Sequence, residues 1–501
     1  MGVIAKQSFK GTIVNYIGVG IGFITTFFVL TRFLSPEDIG LARVLIDAAT
    51  LFVSLASLGT TSSIFRFHPY FLDKTNNAHG FFFLTTLIPF IGFVLFALLF
   101  WILHVPLQQF FAEKSPLFVD YYYFVLPIAF FLLYQTTFET HSAVLMRIVF
   151  PKFVREVLTR LLLLAAYLLY AFHILSLDGF VVALCGVYAV AALCNFVYLL
   201  CVAKVSFRPD FSFINKKLAL QWVAYSSFLL LSACVGMMGP TISGFFVTAK
   251  LGLDHTGVYA IATYMAVMVS IPYRSLSTIV QPDMAKASKE KDLLKLNTLA
   301  QQASAVMMWI AFVILALIWI NIDVIFAILP NGNLYATARY VVLFLGISNL
   351  ITVTFSISNT VLSYSPYYYF SLLFSLILAV ATVLLNNYLI PILGINGAAI
   401  TTLTANILYL TALLLFVRLR LKVSLLSRTL GKILLMIIIA VATNELLTFL
   451  LSNANIYLSA ILRTLIVVGG MVLFTYFKNI VPDITIFIHN FIARFITKTR
   501  P

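Results

Sequence analysis

Fourteen apolar stretches constrain this chain more than any other feature of its sequence. A helix needs about 20 mostly apolar residues to cross the hydrocarbon of a bilayer, where its backbone polar groups must be satisfied internally. The stretches therefore predict an all-α integral membrane protein with 14 transmembrane helices. They cover residues 11–33, 43–66, 81–103, 121–145, 155–175, 179–203, 222–248, 257–281, 301–322, 337–362, 367–389, 395–417, 431–451 and 456–477.

The composition excludes a water-soluble domain. Of 501 residues, 62% are hydrophobic and 10% are charged, whereas soluble domains are about half apolar and a quarter charged. The first apolar stretch is too long for a signal peptide and lacks a small-residue cleavage site, so it is predicted to be a retained span. The cysteines lie inside apolar runs without a CxxC spacing, which predicts buried thiols and no metal site. They are Cys185, Cys194, Cys201 and Cys234.

The basic residues orient the predicted spans. With the N-terminus in the cytoplasm, 25 of the 32 Lys and Arg residues fall on the cytoplasmic side and six on the outer side. Cytoplasmic loops of membrane proteins carry such an excess. Both termini are therefore predicted to be cytoplasmic, and residues 480–501 to form a short amphipathic cytoplasmic tail. The net charge of +15 follows from these loops, so nucleic-acid binding is not predicted.

Two short motifs occur twice at nearly the same distance. TRFLSPEDIG at residues 31–40 is echoed 217 residues later by TAKLGLDHTG at 248–257, and ILSLDGF at 174–180 is echoed by ILGINGA at 392–398. Six spans separate the copies, so both enter the membrane from the same side as a parallel repeat. The predicted domains are a six-helix lobe at 1–210, a second at 211–422, helices 13 and 14 at 423–479, and the tail.

The first helix of each predicted lobe contains helix-weakening residues. These are Gly18 and Gly22 in the first span and Gly239 and Pro240 in the seventh. Glycine permits bending and proline removes a backbone hydrogen bond, so the four residues are predicted hinges. Close helix packing explains small residues in membrane helices equally well.

The architecture and the motif after the first span resemble a known family. Two parallel six-span lobes plus two spans, with TRFLSPEDIG after the first span, are similar to the polysaccharide-transporter branch of the multidrug/oligosaccharidyl-lipid/polysaccharide exporter superfamily. The resemblance covers essentially the whole chain. It implies a Wzx-type flippase in the bacterial cytoplasmic membrane. Such a flippase moves undecaprenyl-pyrophosphate-linked oligosaccharides by alternating access, for O-antigen, lipopolysaccharide, capsule or exopolysaccharide biosynthesis.

Two related transporter types fit the sequence less well. Lipid II flippases resemble this architecture but carry arginines in their first span, and residues 11–30 contain none. Multidrug exporters of the superfamily usually have twelve spans. Both remain alternatives of the same class.

A lipid-linked pyrophosphate needs cations along its path, and arginine suits phosphate oxygens. Six basic residues near predicted membrane surfaces are candidates for the head-group path: Arg32, Arg43, Arg66, Arg160, Lys250 and Arg274. A local Arg43–Asp47 salt bridge is the alternative for Arg43, since residues four apart share a helix face. For Arg274 the alternative is snorkelling to the surface.

Acidic residues inside the spans raise the question of ion coupling. Asp47 and Glu139 are the candidates for binding a proton or sodium ion, and no cofactor or metal is otherwise predicted. Glu139 and Arg160 are predicted to lie at similar depth and to pair. Glu445 and Arg463 are predicted to form a structural pair, with a groove for a lipid tail as the alternative role.

An enzyme is the competing functional class. The sequence has no GxSxG, HExxH or P-loop motif. Membrane oligosaccharide polymerases and ligases use a long outer loop, and the longest one here, at about 104–120, is short and nearly uncharged. The protein is therefore predicted not to be an enzyme. A polysaccharide polymerase and a chain-length regulator are its plausible partners, besides membrane lipids.

Overall fold

We describe a computed structural model of the chain, covering residues 3–71, 80–202, 216–290, 292–486 and 488–489. Within these residues the protein is helical and contains no β-strand, which agrees with the predicted all-α class. Most of the predicted tail, and its amphipathic character with it, lies outside the described residues.

The helices follow the predicted spans closely. From the N-terminus they are α1 (Val3–Ile24), α2 (Thr31–Phe33), α3 (Pro36–Ala56), α4 (Thr60–Phe71), α5 (Phe81–Ile102), α6 (His104–Ala112), α7 (Pro116–Tyr121), α8 (Val125–Val144), α9 (Val149–Phe153), α10 (Thr159–Ala171), α11 (Leu177–Val202) and α12 (Lys216–Leu251). They continue with α13 (Leu253–Val267), α14 (Ile271–Lys289), α15 (Leu293–Ile320), α16 (Ile322–Ile328), α17 (Gly332–Tyr335), α18 (Arg339–Ser363), α19 (Phe370–Leu393), α20 (Ile395–Arg420), α21 (Arg428–Leu450), α22 (Ile456–Thr464) and α23 (Gly470–Lys478). Three π-helical turns, at Thr25–Leu30, Val154–Leu158 and Leu465–Gly469, join neighbouring helices.

Twelve helical segments of the described residues are long and apolar enough to cross a membrane. The two predicted spans outside this set are 155–175 and 222–248. The chain is helical at both, but the first carries the charged turn around Arg155 and Glu156, and many side chains of the second lie outside the described part. A multi-pass membrane protein is confirmed, while the count of fourteen stays a prediction.

Contacts divide the chain into two compact units, Met1–Ala260 with Ile390–Gly394, and Ile261–Leu389 with Ile395–Pro501. In the first unit, α8 packs against α3 and α11. The apolar side chains between these helices are fully buried, among them Ile128 and Leu133 of α8, Leu45 of α3 and Leu184 of α11. The predicted lobes, with their boundary near residue 210, remain a prediction.

The second predicted span is interrupted, which the sequence pattern did not indicate. Instead of one helix over 43–66, α3 begins earlier at Pro36 and ends at Ala56, and α4 begins at Thr60. Between them Leu58 and Gly59 adopt left-handed φ angles of 46° and 71°. A Cβ atom on Gly59 would meet the backbone of Ser226 in α12. The sequence does not reveal this break, because the residues around it also occur in membrane helices.

In the second unit, α15 packs against α18 and α21, and α18 packs against α20. The core among α15, α18 and α20 includes Ala300, Ile357 and Leu413, none of which is exposed. The indole N–H of Trp309 in α15 donates to the hydroxyl of Thr475 in α23 at 2.9 Å. This bond satisfies a buried polar group and ties the last helix to the core of its unit.

Gly92 generates a stability prediction because α5 crosses the end of α3 there. A Cβ atom on Gly92 would overlap the carbonyl oxygen of Ala56. We expect Gly92→Ala to lower the melting temperature of the purified protein, since overpacking costs about 1–3 kcal/mol. Gly186→Ala in α11 is the control, because a Cβ there meets nothing within 4 Å. Equal melting temperatures for the two variants would contradict this packing.

Candidate functional site

The two copies of the first motif form the same local structure. In each copy the first residue, Thr31 or Thr248, donates its hydroxyl to the carbonyl four residues earlier, at 2.7 and 3.0 Å. The helix ends near the fourth residue, and the fifth residue turns the chain. Ser35 is extended and caps α3, while Gly252 has a φ of +105°. Pro36 and Leu253 then begin the next helix, so the sequence echo corresponds to a structural one.

The two copies touch each other reciprocally. A Cβ atom on Gly40, the tenth residue of the first copy, would overlap the carbonyl oxygen of Leu253, the sixth residue of the second. A Cβ atom on Gly257, the tenth residue of the second copy, would overlap the carbonyl oxygen of Pro36, the sixth of the first. We call this pair of contacts the reciprocal glycine contact. It is self-complementary, as in a two-fold symmetric interface.

A hydrogen bond from the loop before α7 also holds the second copy in place. The hydroxyl of Ser115, just before α7, donates to the carbonyl of Thr248 at 2.8 Å. Ser115 is 1% exposed, so this bond is shielded. The reciprocal glycine contact therefore lies among packed residues, on the side of the membrane predicted to be outer.

The basic residues predicted for the outer end of the path differ in their contacts. Arg43 donates from Nε to Asp47 at 2.7 Å, which is the local salt bridge weighed from the sequence. Arg32 is exposed and its guanidinium lies 5.4 Å from the ring centroid of Phe33. The ammonium of Lys250 lies 5.7 Å from the ring of Phe246. The charge of Arg43 is thus balanced locally, while Arg32 and Lys250 rest on aromatic rings.

On the predicted inner side, the proposed Glu139–Arg160 pair is wrong. Glu139 of α8 binds Arg155 at 2.9 Å, and Arg160 of α10 binds Glu156 at 3.0 Å. Arg155 also donates to Glu156 at 3.2 Å. The π-helical turn Val154–Leu158 places Arg155 and Glu156 between the two predicted partners, a feature that residue spacing in a regular helix cannot reveal. We call these four residues the inner charge cluster.

The inner charge cluster rests on the first helix. Arg160 donates to the carbonyl of Gly18 at 2.8 Å. A Cβ atom on Gly18 would overlap the carbonyl oxygen of Glu156, and one on Gly22 would overlap the guanidinium of Arg160. These two predicted hinge glycines therefore make room for the cluster, which is the packing role. Their role as hinges stays a prediction.

The other predicted site residues have mixed outcomes. The guanidinium of Arg66 lies over the ring of Tyr225 at 4.2 Å, joining α4 to α12. Gly239 and Pro240 lie within the continuous helix α12, but their side chains are outside the described part of the structure, as is that of Arg274. The roles assigned to these residues stay predictions.

The predicted Glu445–Arg463 pair is also wrong. Arg463 donates to the hydroxyl of Thr448 at 3.0 Å and toward the carbonyl of Ser459 at 3.4 Å. Glu445 contacts the amide of Asn444 at 3.4 Å and lines an apolar cavity. Because Glu445 and Arg463 are equally far from their loop in sequence, they lie at similar depth. This spacing does not determine the direction in which each side chain points.

Arg155 and Glu156 are functional candidates that were not among the residues predicted for the head-group path or for ion coupling. Glu156 is 7% exposed, and a buried charge in a membrane protein is costly unless it is paired. One signal was available: Arg155, Glu156 and Arg160 are three charges within six residues at the start of a predicted span. Snorkelling of side chains to the membrane surface does not by itself explain three charges in so short a segment.

Comparisons with known proteins agree with this architecture. A family model described as "Polysaccharide biosynthesis protein" matches residues 4–288, more than half of the chain. No curated protein matched the sequence.

Among solved structures, the chain is similar to a lipid II flippase, MurJ, in an inward closed conformation. The TM-score is 0.73 at 11% identity, covering 94% of this chain and 99% of that one. It is also similar to an inward-facing multidrug resistance MATE transporter, with a TM-score of 0.61 at 15% identity over 82% and 94% of the two chains. A Vibrio cholerae MATE transporter gives 0.55 at 14% identity over 83% and 97%. At these identities the likeness concerns the fold alone.

The glycines of α1 generate a matched pair of variants. We expect Gly18→Ala to reduce both melting temperature and activity, because the added methyl group meets backbone at Glu156. Gly20→Ala, two residues away, meets nothing within 4 Å and should leave both unchanged. Both variants stiffen the helix by a similar amount. Equal losses of activity in the two variants, measured beside their melting temperatures, would favour a hinge role over packing.

Proposed function

The chain belongs to the polysaccharide biosynthesis protein family, and from this membership we propose that it is a flippase for lipid-linked oligosaccharides. The substrate is an undecaprenyl-pyrophosphate-linked repeat unit, moved across the bacterial cytoplasmic membrane for O-antigen, capsule or exopolysaccharide synthesis. The structural relatives are named as a flippase and as multidrug transporters, which supports transport rather than catalysis. A polymerase and a chain-length regulator would use the flipped product.

The reciprocal glycine contact is the observation that carries the transport mechanism. Two copies of one motif meet through glycine and backbone carbonyl. Weak glycine–carbonyl interactions are worth about 0.5–1 kcal/mol each, far less than a buried ion pair costs to break. The contact can therefore close the outer end of the path and still separate in every transport cycle. Alternating access follows, with release to the outside when the two motifs separate.

Arg66 and Arg32 are the best candidates for binding the pyrophosphate at the two ends of the path. Arg43 and Arg160 are each neutralised by a carboxylate within 3.0 Å. Within the described residues, Arg32 and Arg66 instead lie on aromatic rings, which leaves guanidinium N–H donors available. Arginine binds phosphate oxygens through paired hydrogen bonds. The substrate head would be taken up near Arg66 and released near Arg32.

Ion coupling rests on Asp47 and Glu139. One carboxylate oxygen of Glu139 binds Arg155, and the other is buried without a hydrogen-bond partner. A buried, unpartnered oxygen costs free energy that a proton or a sodium ion would recover. Asp47 is held by Arg43, so Glu139 is the stronger candidate.

We expect cells lacking the gene to accumulate undecaprenyl-pyrophosphate glycans on the cytoplasmic face of the membrane. Wild type should restore surface polysaccharide, and Arg66→Gln or Arg32→Gln should restore it at least about tenfold less, the effect of losing one charge-assisted interaction of about 1.5 kcal/mol or more. Arg420→Gln, which removes an exposed arginine in the last turn of α20, is the matched control. Lipid analysis of the two membrane faces gives the readout.

Other outcomes would identify another function. An unchanged glycan pool with greater sensitivity to cationic toxins would indicate a multidrug exporter, and accumulated lipid II would indicate a lipid II flippase. Unpolymerised repeat units on the outer face would indicate a polymerase or ligase. In vesicles, flipping that is independent of proton and sodium gradients in wild type, Asp47→Asn and Glu139→Gln would exclude coupling.

The double variant Gly40→Ala/Gly257→Ala tests the reciprocal glycine contact. The added methyl groups should wedge the motifs apart and favour the outward-open state. We expect faster labelling of a cysteine at Leu34, which is 5% exposed, by a membrane-impermeant maleimide in an otherwise cysteine-free background. Gly244→Ala in α12 is the control, because its Cβ meets nothing within 4 Å. Unchanged labelling in the double variant would show that the contact does not gate the path.

A further inference from the structure

The second unit contains an apolar cavity that the transport path does not require. Its volume is about 580 Å³, and it lies among α15, α18, α21 and the turn Leu465–Gly469. Small-molecule sites commonly measure about 300–1,000 Å³. Aromatic and aliphatic side chains such as Phe312, Trp319 and Ile347 line most of it. Such a lining suits a hydrocarbon chain.

The polar groups of the cavity are neighbours on α21. Asn444 and Glu445 both line it, whereas the remaining lining residues are apolar. Asn444 is 7% exposed and its Oδ1 has no hydrogen-bond partner. Glu445 is exposed, as is Val441 one helical turn earlier at 51%. The cavity therefore opens past Val441 and Glu445, close to the end of α21 at Leu450.

Within the described part of the chain, no cation pairs with the carboxylate of Glu445. Arg463 points elsewhere, to Thr448 and Ser459. The contact of Glu445 within the described residues is the amide of Asn444 at 3.4 Å. An unpaired charge within a membrane span is costly even where it is not buried in the protein. A ligand with a cationic hydrogen-bond donor would satisfy both Glu445 and the buried oxygen of Asn444.

A cation lies on the other side of the same cavity wall. The guanidinium of Arg339 is 5.2 Å from the ring centroid of Trp319, a lining residue. Arg339 binds Asp323 at 3.0 Å, and its Nε is buried without a hydrogen-bond partner. Asp323 therefore balances the charge of Arg339, and Arg339 is not among the residues that line the cavity. The polar groups left for a ligand are Glu445 and Asn444, which suit a head group that carries an ammonium.

We propose that the cavity binds a phospholipid whose zwitterionic head group carries a primary ammonium. One acyl chain fills the apolar part, and the ammonium binds Glu445 and Asn444. The transported substrate does not fit this end of the cavity, because a pyrophosphate is repelled by a carboxylate and carries no ammonium. The lipid is therefore a resident ligand, and its binding is independent of the proposed transport substrate.

The test uses the delipidated full-length protein in detergent and lipid binding measured by native mass spectrometry. The probes are dioleoyl phosphatidylethanolamine, dioleoyl phosphatidylcholine, whose trimethylammonium has no N–H, and dioleoyl phosphatidylglycerol, which has no amine. We expect phosphatidylethanolamine to bind about tenfold more tightly than either, as a charge-assisted hydrogen bond predicts. It should also raise the melting temperature more.

Glu445→Gln should abolish the preference for phosphatidylethanolamine without abolishing binding of acyl chains. Glu113→Gln is the control, since Glu113 is an exposed carboxylate beside Lys114 at 3.7 Å. Equal binding of the three lipids to the unmodified protein would overturn the proposal, whatever the variants do. A preference retained in Glu445→Gln would also overturn it. Displacement of phosphatidylethanolamine by undecaprenyl pyrophosphate would assign the cavity to the substrate tail instead.

Discussion

Every backbone N–H and C=O inside the hydrocarbon must find its partner within the protein, and this requirement shapes the whole chain. It makes each span a helix and confines irregular backbone to places where another part of the protein covers it. The turn at Leu58 and Gly59 meets α12, and the turn at Gly252 meets the carbonyl of Lys114. Breaks in the helices are therefore also the points where distant segments approach most closely.

The same requirement concentrates the charges. The π-helical turn Val154–Leu158 brings Arg155 and Glu156 together within the protein, where Glu139, Arg160 and the carbonyl of Gly18 complete their interactions. Such turns are frequent at functional sites. The cluster connects α1, α8 and α10, so a movement of α1 would change the surroundings of all four charged side chains. The ion binding proposed for Glu139 would be coupled to movement of α1 through this contact.

The sequence was sufficient for properties that depend on long stretches. The length of the apolar stretches predicted the helices, and the recurrence of TRFLSPEDIG as TAKLGLDHTG indicated two structurally equivalent turns. The sequence was insufficient where a contact depends on the direction of a single side chain. Glu445 and Arg463 share a depth but not a direction, and a single inserted residue in a π-helical turn gave Arg160 a partner other than Glu139. Contacts such as Gly40 with Leu253 depend on segments more than 200 residues apart, so no local pattern predicts them.

The reciprocal glycine contact also constrains how the chain could have originated. Each copy of the motif supplies both a glycine and the carbonyl that the other copy's glycine meets. A protein with one copy would carry the complete contact surface, yet could use it only by pairing with an identical molecule. This chain carries both partners of such a contact in one polypeptide. Ser35 and Gly252 form the equivalent turn by different chemistry, because Ser35 caps α3 with its side chain and Gly252 adopts a φ of +105°.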